Sequence, residues 1–358
     1  LTYAKGADVS LGQTKFVDEL NINTTDRSEL PQAIAVAKTA DVVVMVLGEV
    51  GYQSGEARSR TDLGLPGVQQ DLLEAIYEVN KNIVLVLNNG RPLVLNWHQE
   101  HLPAIVEAWQ LGTQSGNAIA QVLYGDYNPS GKLPMSFPRA VGQVPIYYNY
   151  KNTGRPLMPT PSTVFWSHYQ DVENTPLYPF GYGLSYTTFN YSELQTQVVS
   201  DNEVNVSVTL KNTGKFTGKE VVQLYIKDHY ASVTRPVREL KGFELVSLEA
   251  NESKKIEFTL SEKELGFYDN EGNFIVYYFE MAPEKLNDVD EALRIIPNVL
   301  RHIIIKPPKG YQIVKFSKEY QNWLENRETV EEKKTRENEE ALQKKVTDKA
   351  KRQAKRAT

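Results

Sequence analysis

The chain has 358 residues, of which 41% are hydrophobic and 24% charged, and its formal net charge is −5. This composition is that of a globular protein of two or three domains, and the charge gives no reason to expect the whole chain to bind a polyanion. The absence of cysteine excludes disulfides, thiolate catalysis and thiolate metal sites. No apolar run approaches the roughly 20 residues of a membrane span. No segment has the pattern of a signal peptide, and because the chain opens without Met, the sequence leaves the question of export open.

The first 140 residues predict helices that alternate with strands. Unbroken apolar runs predict strands at residues 42–47, 83–87 and 104–109. Apolar residues at helical spacing predict helices around residues 30–37, from residue 69 onward and over residues 118–123. Valine-rich runs of this kind are typical of strands covered on both faces, hence of a parallel sheet. We therefore predict a three-layer α/β sandwich for residues 1–140.

The loop after the first strand is unusually charged. Residues 48–66 read Gly-Glu-Val-Gly-Tyr-Gln-Ser-Gly-Glu-Ala-Arg-Ser-Arg-Thr-Asp-Leu-Gly-Leu-Pro. In parallel sheets, ligands bind in the loops beyond the carboxyl ends of the strands, and this loop lies there. Glu49, Glu56, Arg58 and Arg60 make it the part of the chain in which we expect the chemistry.

The remainder of the chain changes character three times. Residues 141–192 form an irregular, aromatic-rich connecting segment. Residues 193–276 alternate apolar and polar positions between Gly and Asn turns, which predicts an antiparallel β-sandwich, here without its last strand. Residues 277–309 then predict a β-α-β unit, and residues 310–358 a charged tail that is helical or disordered.

Several motifs resemble the carboxyl-terminal part of family-three glycoside hydrolases of the periplasmic β-glucosidase type. The two most specific are Gly-Asp-Tyr-Asn-Pro-Ser-Gly-Lys-Leu-Pro-Met-Ser-Phe-Pro at residues 125–138 and Tyr-Pro-Phe-Gly-Tyr-Gly-Leu-Ser-Tyr-Thr at residues 178–187. Further matches lie at residues 3–6, 48–49, 55–56, 59–62, 89–92, 152–156, 235–236 and 240–243. Such enzymes have a (β/α) barrel, an α/β sandwich and a fibronectin type III-like domain, in that order. The resemblance implies that this chain has the second and third and lacks the barrel.

The resemblance also implies a reaction, the hydrolysis of terminal β-D-glucosidic bonds with retention of configuration. The substrate would be a β-glucoside or oligosaccharide, no cofactor would be needed, and the location would be periplasmic or secreted. Retaining glycosidases use one carboxyl group as nucleophile and a second as general acid and base. In this family the nucleophile is an aspartate on the barrel, and nothing in this sequence matches its motif. We therefore expect the isolated chain to be inactive.

Glu56 matches the acid/base of the family and is our candidate for that role. The alternative is that Glu56 only pairs with Arg58 or Arg60 on a solvated loop. Glu49 is expected either to orient the loop or to contact sugar hydroxyls. Arg58 and Arg60 are candidates for substrate binding, or else members of an ion-pair scaffold.

A second resemblance covers the β-α-β unit at residues 277–309, which is similar to the second half of small-subunit ribosomal protein six. It implies an alternative function, binding to ribosomal RNA and a ribosomal protein, with a ribosomal location. The candidate RNA contacts are the basic residues of the tail, Lys344, Lys345, Lys349, Lys351, Arg352, Lys355 and Arg356. Two unrelated fragments joined where each is incomplete suggest a chimeric or truncated reading frame. A third alternative is a non-catalytic carbohydrate-binding or scaffolding module left after loss of the barrel.

The five histidines are scattered along the chain. His98 and His101 share a helical face, but no third ligand lies near them in sequence. We therefore predict no metal site.

Overall fold

The computed structural model describes residues 1–13, 15, 17–156, 164–200, 203–228, 231, 233–268 and 274–275. The predicted β-α-β unit at residues 277–309 and the charged tail at residues 310–358, with its seven candidate RNA contacts, lie outside the described residues. Among the residues described, no helix combines the length and the apolar character that crossing a bilayer requires.

The first domain alternates strands with helices, as its apolar periodicity predicts. Its strands are β1 (Val43–Gly48), β2 (Ile83–Asn88) and β3 (Ala104–Glu107), and its helices are α1 (Leu30–Thr39), α2 (Gln69–Val79), α3 (Asn96–His101) and α4 (Ser115–Tyr124). The predicted strands and the three predicted helices are thereby confirmed. Helix α3 was not predicted, because six residues reading Asn-Trp-His-Gln-Glu-His show no apolar period.

The three strands form a parallel sheet in the order β1-β2-β3. One face of this sheet carries Met45 and Leu47 of β1 and Leu85 of β2, and all three side chains are buried. They share one hydrophobic core with the buried faces of α1 and α2, which include Ala37 and Leu73. This core holds the sheet rigid, so the loops at the carboxyl ends of its strands start from fixed positions.

The opposite face of β1 is open to solvent. Val44 and Val46 are 45% and 59% exposed, although Val86, the register partner of Val46 on β2, is fully buried. The expectation that β1 is covered on both faces is therefore wrong for the described part of the chain. In that part β1 is an edge strand, and α1 and α2 pack on the face that carries Met45 and Leu47.

The second domain is an antiparallel β-sandwich, as its period of two predicts. Its elements are β4 (Phe189–Ser200), β5 (Glu203–Asn212), β6 (Gly218–Ile226), β7 (Glu239–Leu248), β8 (Ser253–Ser261), the short helix α5 (Glu262–Leu265), β9 (Phe267–Tyr268) and β10 (Phe274–Ile275). One sheet has the order β4-β5-β8, the other pairs β6 with β7, and β9 pairs with β10. Its core contains Leu210, Val222, Val246, Leu248 and Ile256.

The two aromatic motifs attach this sandwich to the first domain. Asn128 accepts hydrogen bonds from the Ser185 hydroxyl and the Tyr186 amide, both at 2.8 Å, and its own amide group donates to the Thr217 carbonyl at 2.9 Å. Lys132 forms an ion pair of 3.0 Å with Glu220 on β6. The motif at residues 125–138 therefore contacts both the motif at residues 178–187 and the sandwich.

Candidate functional site

The charged loop leaves β1 through a backbone conformation that requires glycine. Gly48 has φ +137°, and a Cβ atom on it would lie 2.2 Å from the Asn88 carbonyl oxygen of β2. The side-chain amide of Gln69, at the start of α2, donates to the Gly48 carbonyl and accepts from the Gly48 amide, both at 2.8 Å. The start of the loop is therefore fixed to both neighbouring elements.

Glu49 is buried at the base of the loop, and its side chain is 0% exposed. Its Oε1 lies 2.8 Å from Arg60 Nη1 and 3.0 Å from Arg91 Nε. Its Oε2 accepts a hydrogen bond of 3.1 Å from the backbone amide of Gly90, in the turn after β2. Both carboxylate oxygens therefore bind groups of the protein itself.

The two guanidinium groups around Glu49 also bind the backbone of the loop. Arg60 donates to the Gly64 carbonyl at 2.9 Å. Arg91 donates to the Arg58 carbonyl at 2.9 Å and also to the Gln53 carbonyl. Arg58 contacts a different segment, with Nη1 3.7 Å from Glu19 Oε2 and Nη2 donating to the Asp18 carbonyl at 3.4 Å. Glu49, Arg60 and Arg91 thus form one cluster beneath the loop, and Arg58 lies at its edge.

Glu56 projects from the tip of this loop into solvent. It is flanked by two residues with positive φ, Gly55 at +135° and Ala57 at +57°. Its carboxylate forms no hydrogen bond or ion pair with any residue that the structure describes, and Arg60, which a solvated pair would use, binds Glu49 instead. A non-glycine residue at positive φ is uncommon and marks a locally strained backbone. The loop therefore presents a carboxyl group that is held out from the fold and is free to meet another molecule.

Glu107 is a third carboxyl group at the same edge of the sheet, at the end of β3. It accepts hydrogen bonds from the Trp109 amide at 2.9 Å and from the side-chain amide of Asn89 at 3.3 Å. Burial raises the pKa of Glu107 to about 7, although these two hydrogen bonds act in the opposite direction. Sequence reasoning missed Glu107, and its one signal was a carboxylate inside the apolar run at residues 104–109.

His98 and His101 on α3 do not form part of this edge. Burial lowers the pKa of His98 to about 4, and neither of its ring nitrogens has a hydrogen-bond partner in the part of the chain that the structure describes. His101 stacks on Trp97, and its Nδ1 lies 2.8 Å from the Trp97 carbonyl. The two rings therefore pack within the fold, and among the residues described no group of three side chains is placed to hold a metal ion.

Known proteins place this arrangement in a family. Residues 4–186, about half of the chain, match the Glycosyl hydrolase family 3 C-terminal domain. The chain belongs to glycoside hydrolase family 3. Residues 220–278 match the Fibronectin type III-like domain, in agreement with the antiparallel sandwich that follows the family 3 domain.

Relatives of the family 3 chain are named as glycosidases. It is 45% identical over 298 residues to the periplasmic beta-glucosidase of Salmonella typhimurium, covering 80% of this chain and 38% of that protein. It is 41% identical over 278 residues to a beta-xylosidase of Formosa agariphila, covering 76% of this chain and 35% of that protein. The beta-glucosidase of Listeria innocua crystallised with glucose is 40% identical, with a TM-score of 0.68 over 71% of this chain and 36% of that one. The family 3 chain thus spans less than two-fifths of the length of each.

The resemblance of residues 277–309 to ribosomal protein six gains no support from these comparisons. The two family matches end at residues 186 and 278, and the relatives are glycosidases. Ribosomal partners, a ribosomal location and a chimeric origin are likewise unsupported. RNA contact through the basic tail therefore stays a prediction.

Proposed function

We propose that this chain is the carboxyl-terminal part of a retaining β-glucosidase and that Glu56 is its general acid and base. The observation that carries the proposal is the exposure of Glu56, which pairs with no described residue, at the tip of an anchored loop at the carboxyl edge of a parallel sheet. The chemistry is the hydrolysis of terminal β-D-glucosidic bonds in a β-glucoside or oligosaccharide, with no cofactor. The names of the relatives support this substrate class, and that of the Salmonella relative supports a periplasmic or secreted location.

Glu56 donates its proton to the leaving oxygen in the first half of the reaction. In the second half, as carboxylate, it takes a proton from the water that hydrolyses the glycosyl-enzyme. The acid form requires a surrounding that disfavours the charged carboxylate. A second polypeptide region closing over the exposed tip of the loop would provide that surrounding, together with the sugar pocket.

The nucleophile of the reaction lies outside this chain. Glu49 is the other carboxylate of the loop, but it is buried and paired with Arg60 and Arg91, so its lone pairs are not available to attack an anomeric carbon. A retaining enzyme needs its two carboxyl groups roughly 5–5.5 Å apart. We assign the nucleophile to the barrel that relatives of this type carry, and the barrel is thus the principal partner of this chain.

The same geometry favours one alternative for the remaining charged residues of the loop. Glu49 and Arg60 orient the loop and do not contact sugar, because they bind each other and Arg60 also donates to the Gly64 carbonyl. Arg58 stays a candidate for substrate binding.

The test uses this chain joined to the amino-terminal part of the Salmonella periplasmic β-glucosidase. The readout is kcat/KM for two aryl β-glucosides, one with a poor leaving group (phenol) and one with a good leaving group (2,4-dinitrophenol). Glu56→Gln should lower kcat/KM for the phenyl glucoside by roughly 10²–10⁴-fold, because only that leaving group needs a proton. The value for the dinitrophenyl glucoside should change little.

Glu78→Gln, an exposed carboxylate on α2, is the matched control and should leave both values unchanged. The chain alone should show no turnover. Full activity of Glu56→Gln on the phenyl glucoside would refute the assignment. Sugar binding by the joined protein without any turnover would favour the non-catalytic carbohydrate-binding module instead.

A further inference from the structure

We propose that Arg91, in the turn after β2, is a positioning residue that holds the Glu56 loop in its working conformation. The proposal rests on the proposed function, since the purpose of the loop is to present Glu56. Arg91 is 35 positions beyond Glu56 in the sequence and belongs to a different element, so it acts on the loop from outside.

The contacts of Arg91 bracket the tip of the loop. Its Nη2 donates to the carbonyl groups of Gln53 and Arg58, which lie three residues before and two residues after Glu56. Its Nε lies 3.0 Å from Glu49 Oε1, at the base of the same loop. One guanidinium therefore ties together the base and both sides of the segment that carries Glu56.

The loop needs such a restraint from outside. Its backbone hydrogen bonds next to Glu56 are short-range turns, from the Gln53 amide to the Val50 carbonyl and from the Arg58 amide to the Gly55 carbonyl. The positive φ values of Gly55 and Ala57 are disfavoured for a free segment, above all for Ala57. Hydrogen bonds donated by a charged group are stronger than those between neutral groups, and Arg91 donates two of them, one on each side of Glu56.

The turn that carries Arg91 is itself fixed in place. The Asn89 side-chain amide donates to the Arg91 carbonyl at 2.8 Å and to Glu107 at 3.3 Å. The Gly90 amide donates to Glu49. Arg91 thus connects the loop to a turn that is held in place by β2 and β3.

Arginine is the residue type that this geometry demands. A guanidinium has several N–H donors in one plane, so it can bind a carboxylate and two carbonyl groups at once. The ammonium of lysine is a single point with a shorter reach across the loop. Arg91→Lys should therefore keep the ion pair with Glu49 and lose at least one of the two carbonyl contacts.

The decisive experiment measures amide hydrogen exchange of this chain and of three variants. Arg91→Met removes the charge and all three contacts, and Arg91→Lys is the conservative variant. Arg139→Met is the matched control, because Arg139 is also half-buried and binds a carboxylate and a carbonyl, those of Glu173 and Thr175, on a different loop. The readout is exchange in peptides spanning residues 50–62, compared with that of β2 and α2.

In Arg91→Met the amides of Gln53, Ser54 and Arg58 should exchange about tenfold faster or more, while those of β2 and α2 keep their rates. Arg91→Lys should be intermediate, and Arg139→Met should leave residues 50–62 unchanged. Wild-type exchange of residues 50–62 in Arg91→Met would overturn the proposal. So would an equal acceleration throughout the domain, since that indicates a general loss of stability.

A second readout links the loop to the chemistry in the joined enzyme described above. Arg91→Met should lower kcat/KM at least about tenfold for the phenyl glucoside and leave that of the dinitrophenyl glucoside unchanged, since a misplaced acid affects only the leaving group that needs it. An equal loss for both glucosides would contradict a positioning role. If Glu56→Gln affects both glucosides equally, the proposed function is refuted. The role of Arg91 in holding the loop is still tested separately, by hydrogen exchange on this chain.

Discussion

The half-buried Glu107 and the buried His98 are ionisable residues of the first domain, and their displaced pKa values change its stability with pH. The pKa of Glu107 is raised to about 7 by burial, and that of His98 is lowered to about 4 by burial. In both residues the neutral form is the one that the fold accommodates. One group gains a proton to become neutral and the other loses one. Their contributions to the unfolding free energy therefore change with pH in opposite directions.

Glu107 should make the domain less stable as the pH rises. Its folded pKa of about 7 exceeds its ordinary value of 4.5, so its contribution is complete below pH 4.5 and is lost as the pH rises through about 7. The loss amounts to up to about 3 kcal/mol, at 1.36 kcal/mol per pKa unit. Relative to wild type, Glu107→Gln should therefore gain stability between pH 4.5 and pH 7 in urea unfolding. A constant difference across this range would contradict the displaced pKa, and Glu78→Gln is the control.

His98 should have the opposite effect. Its folded pKa of about 4 lies below its ordinary 6.5, so the stability it contributes is present above pH 6.5 and is lost as the pH falls through about 4. Compared with His98→Leu, wild type should lose up to about 3 kcal/mol of unfolding free energy between pH 6.5 and pH 4. The exposed His168 provides the control variant His168→Leu. Urea unfolding of wild type itself should vary little between pH 4.5 and pH 6.5, where the two effects cancel.

At the scale of elements, the turn after β2 is packed directly against the loop that carries Glu56. A Cβ atom on Gly90 would lie 2.1 Å from Ser54 Oγ and 2.8 Å from Ser54 Cβ. Gly90→Ala should therefore lower the unfolding free energy by about 1–3 kcal/mol through overpacking. The double variant Gly90→Ala with Ser54→Gly should recover most of this loss in urea unfolding, because both clashing atoms are removed. Failure of the second substitution to restore stability would mean that the turn and the loop do not touch as described.

Two neighbouring valines on one face of the sheet should respond differently to the same substitution. Val46 on β1 and Val86 on β2 are register partners on one face, yet Val46 is exposed and Val86 is buried. Val46→Thr should change the unfolding free energy by no more than about 0.5 kcal/mol. Val86→Thr should cost about 1–3 kcal/mol, because it buries a hydroxyl group. Equal losses in urea unfolding would show that β1 is covered in solution.

The elements whose formation depends on local pattern could be predicted from the sequence. Strands β1 to β3 and helices α1, α2 and α4 follow from apolar periodicity, and the sandwich from its period of two. The openness of β1 could not be predicted, because Val44 and Val46 belong to a run that is typical of a buried strand. Whether such a strand is covered depends on which elements pack against it, and sequence pattern does not contain that information.

The candidate site could be predicted only in part, because some of its contacts form between residues that are distant in the sequence. The loop, its charge and Glu56 follow from motifs that are continuous in the sequence. The contacts of Arg91 with the loop depend on the parallel register that brings the ends of β1, β2 and β3 to one edge. The position of the Glu107 carboxyl depends on the same register. Residues 49, 91 and 107 meet only in the folded sheet. Whether Glu56 pairs with Arg60 likewise depends on the fold, because Arg60 binds the buried Glu49.

At the scale of the whole molecule, the proposed function assigns one half of a reaction to this chain. It contains a family 3 domain and a fibronectin type III-like sandwich joined through Asn128 and Lys132, and it spans 38% of its Salmonella relative. Among the described residues of the loop, Glu56 is exposed and unpaired while Glu49 is buried and paired. This is the arrangement that the proposed function predicts for a domain that completes its active site against another domain.

The central claim is that Glu56 protonates the leaving group and activates water, while a carboxylate outside this chain forms the glycosyl-enzyme. Azide needs no base, so it should attack that intermediate when residue 56 lacks a carboxylate. The direct measurement is the product that the joined enzyme with Glu56→Gly forms from 2,4-dinitrophenyl β-glucoside in the presence of azide. The account predicts azide-dependent turnover to β-glucosyl azide. An α-glucosyl azide, or turnover that azide does not raise, would contradict it.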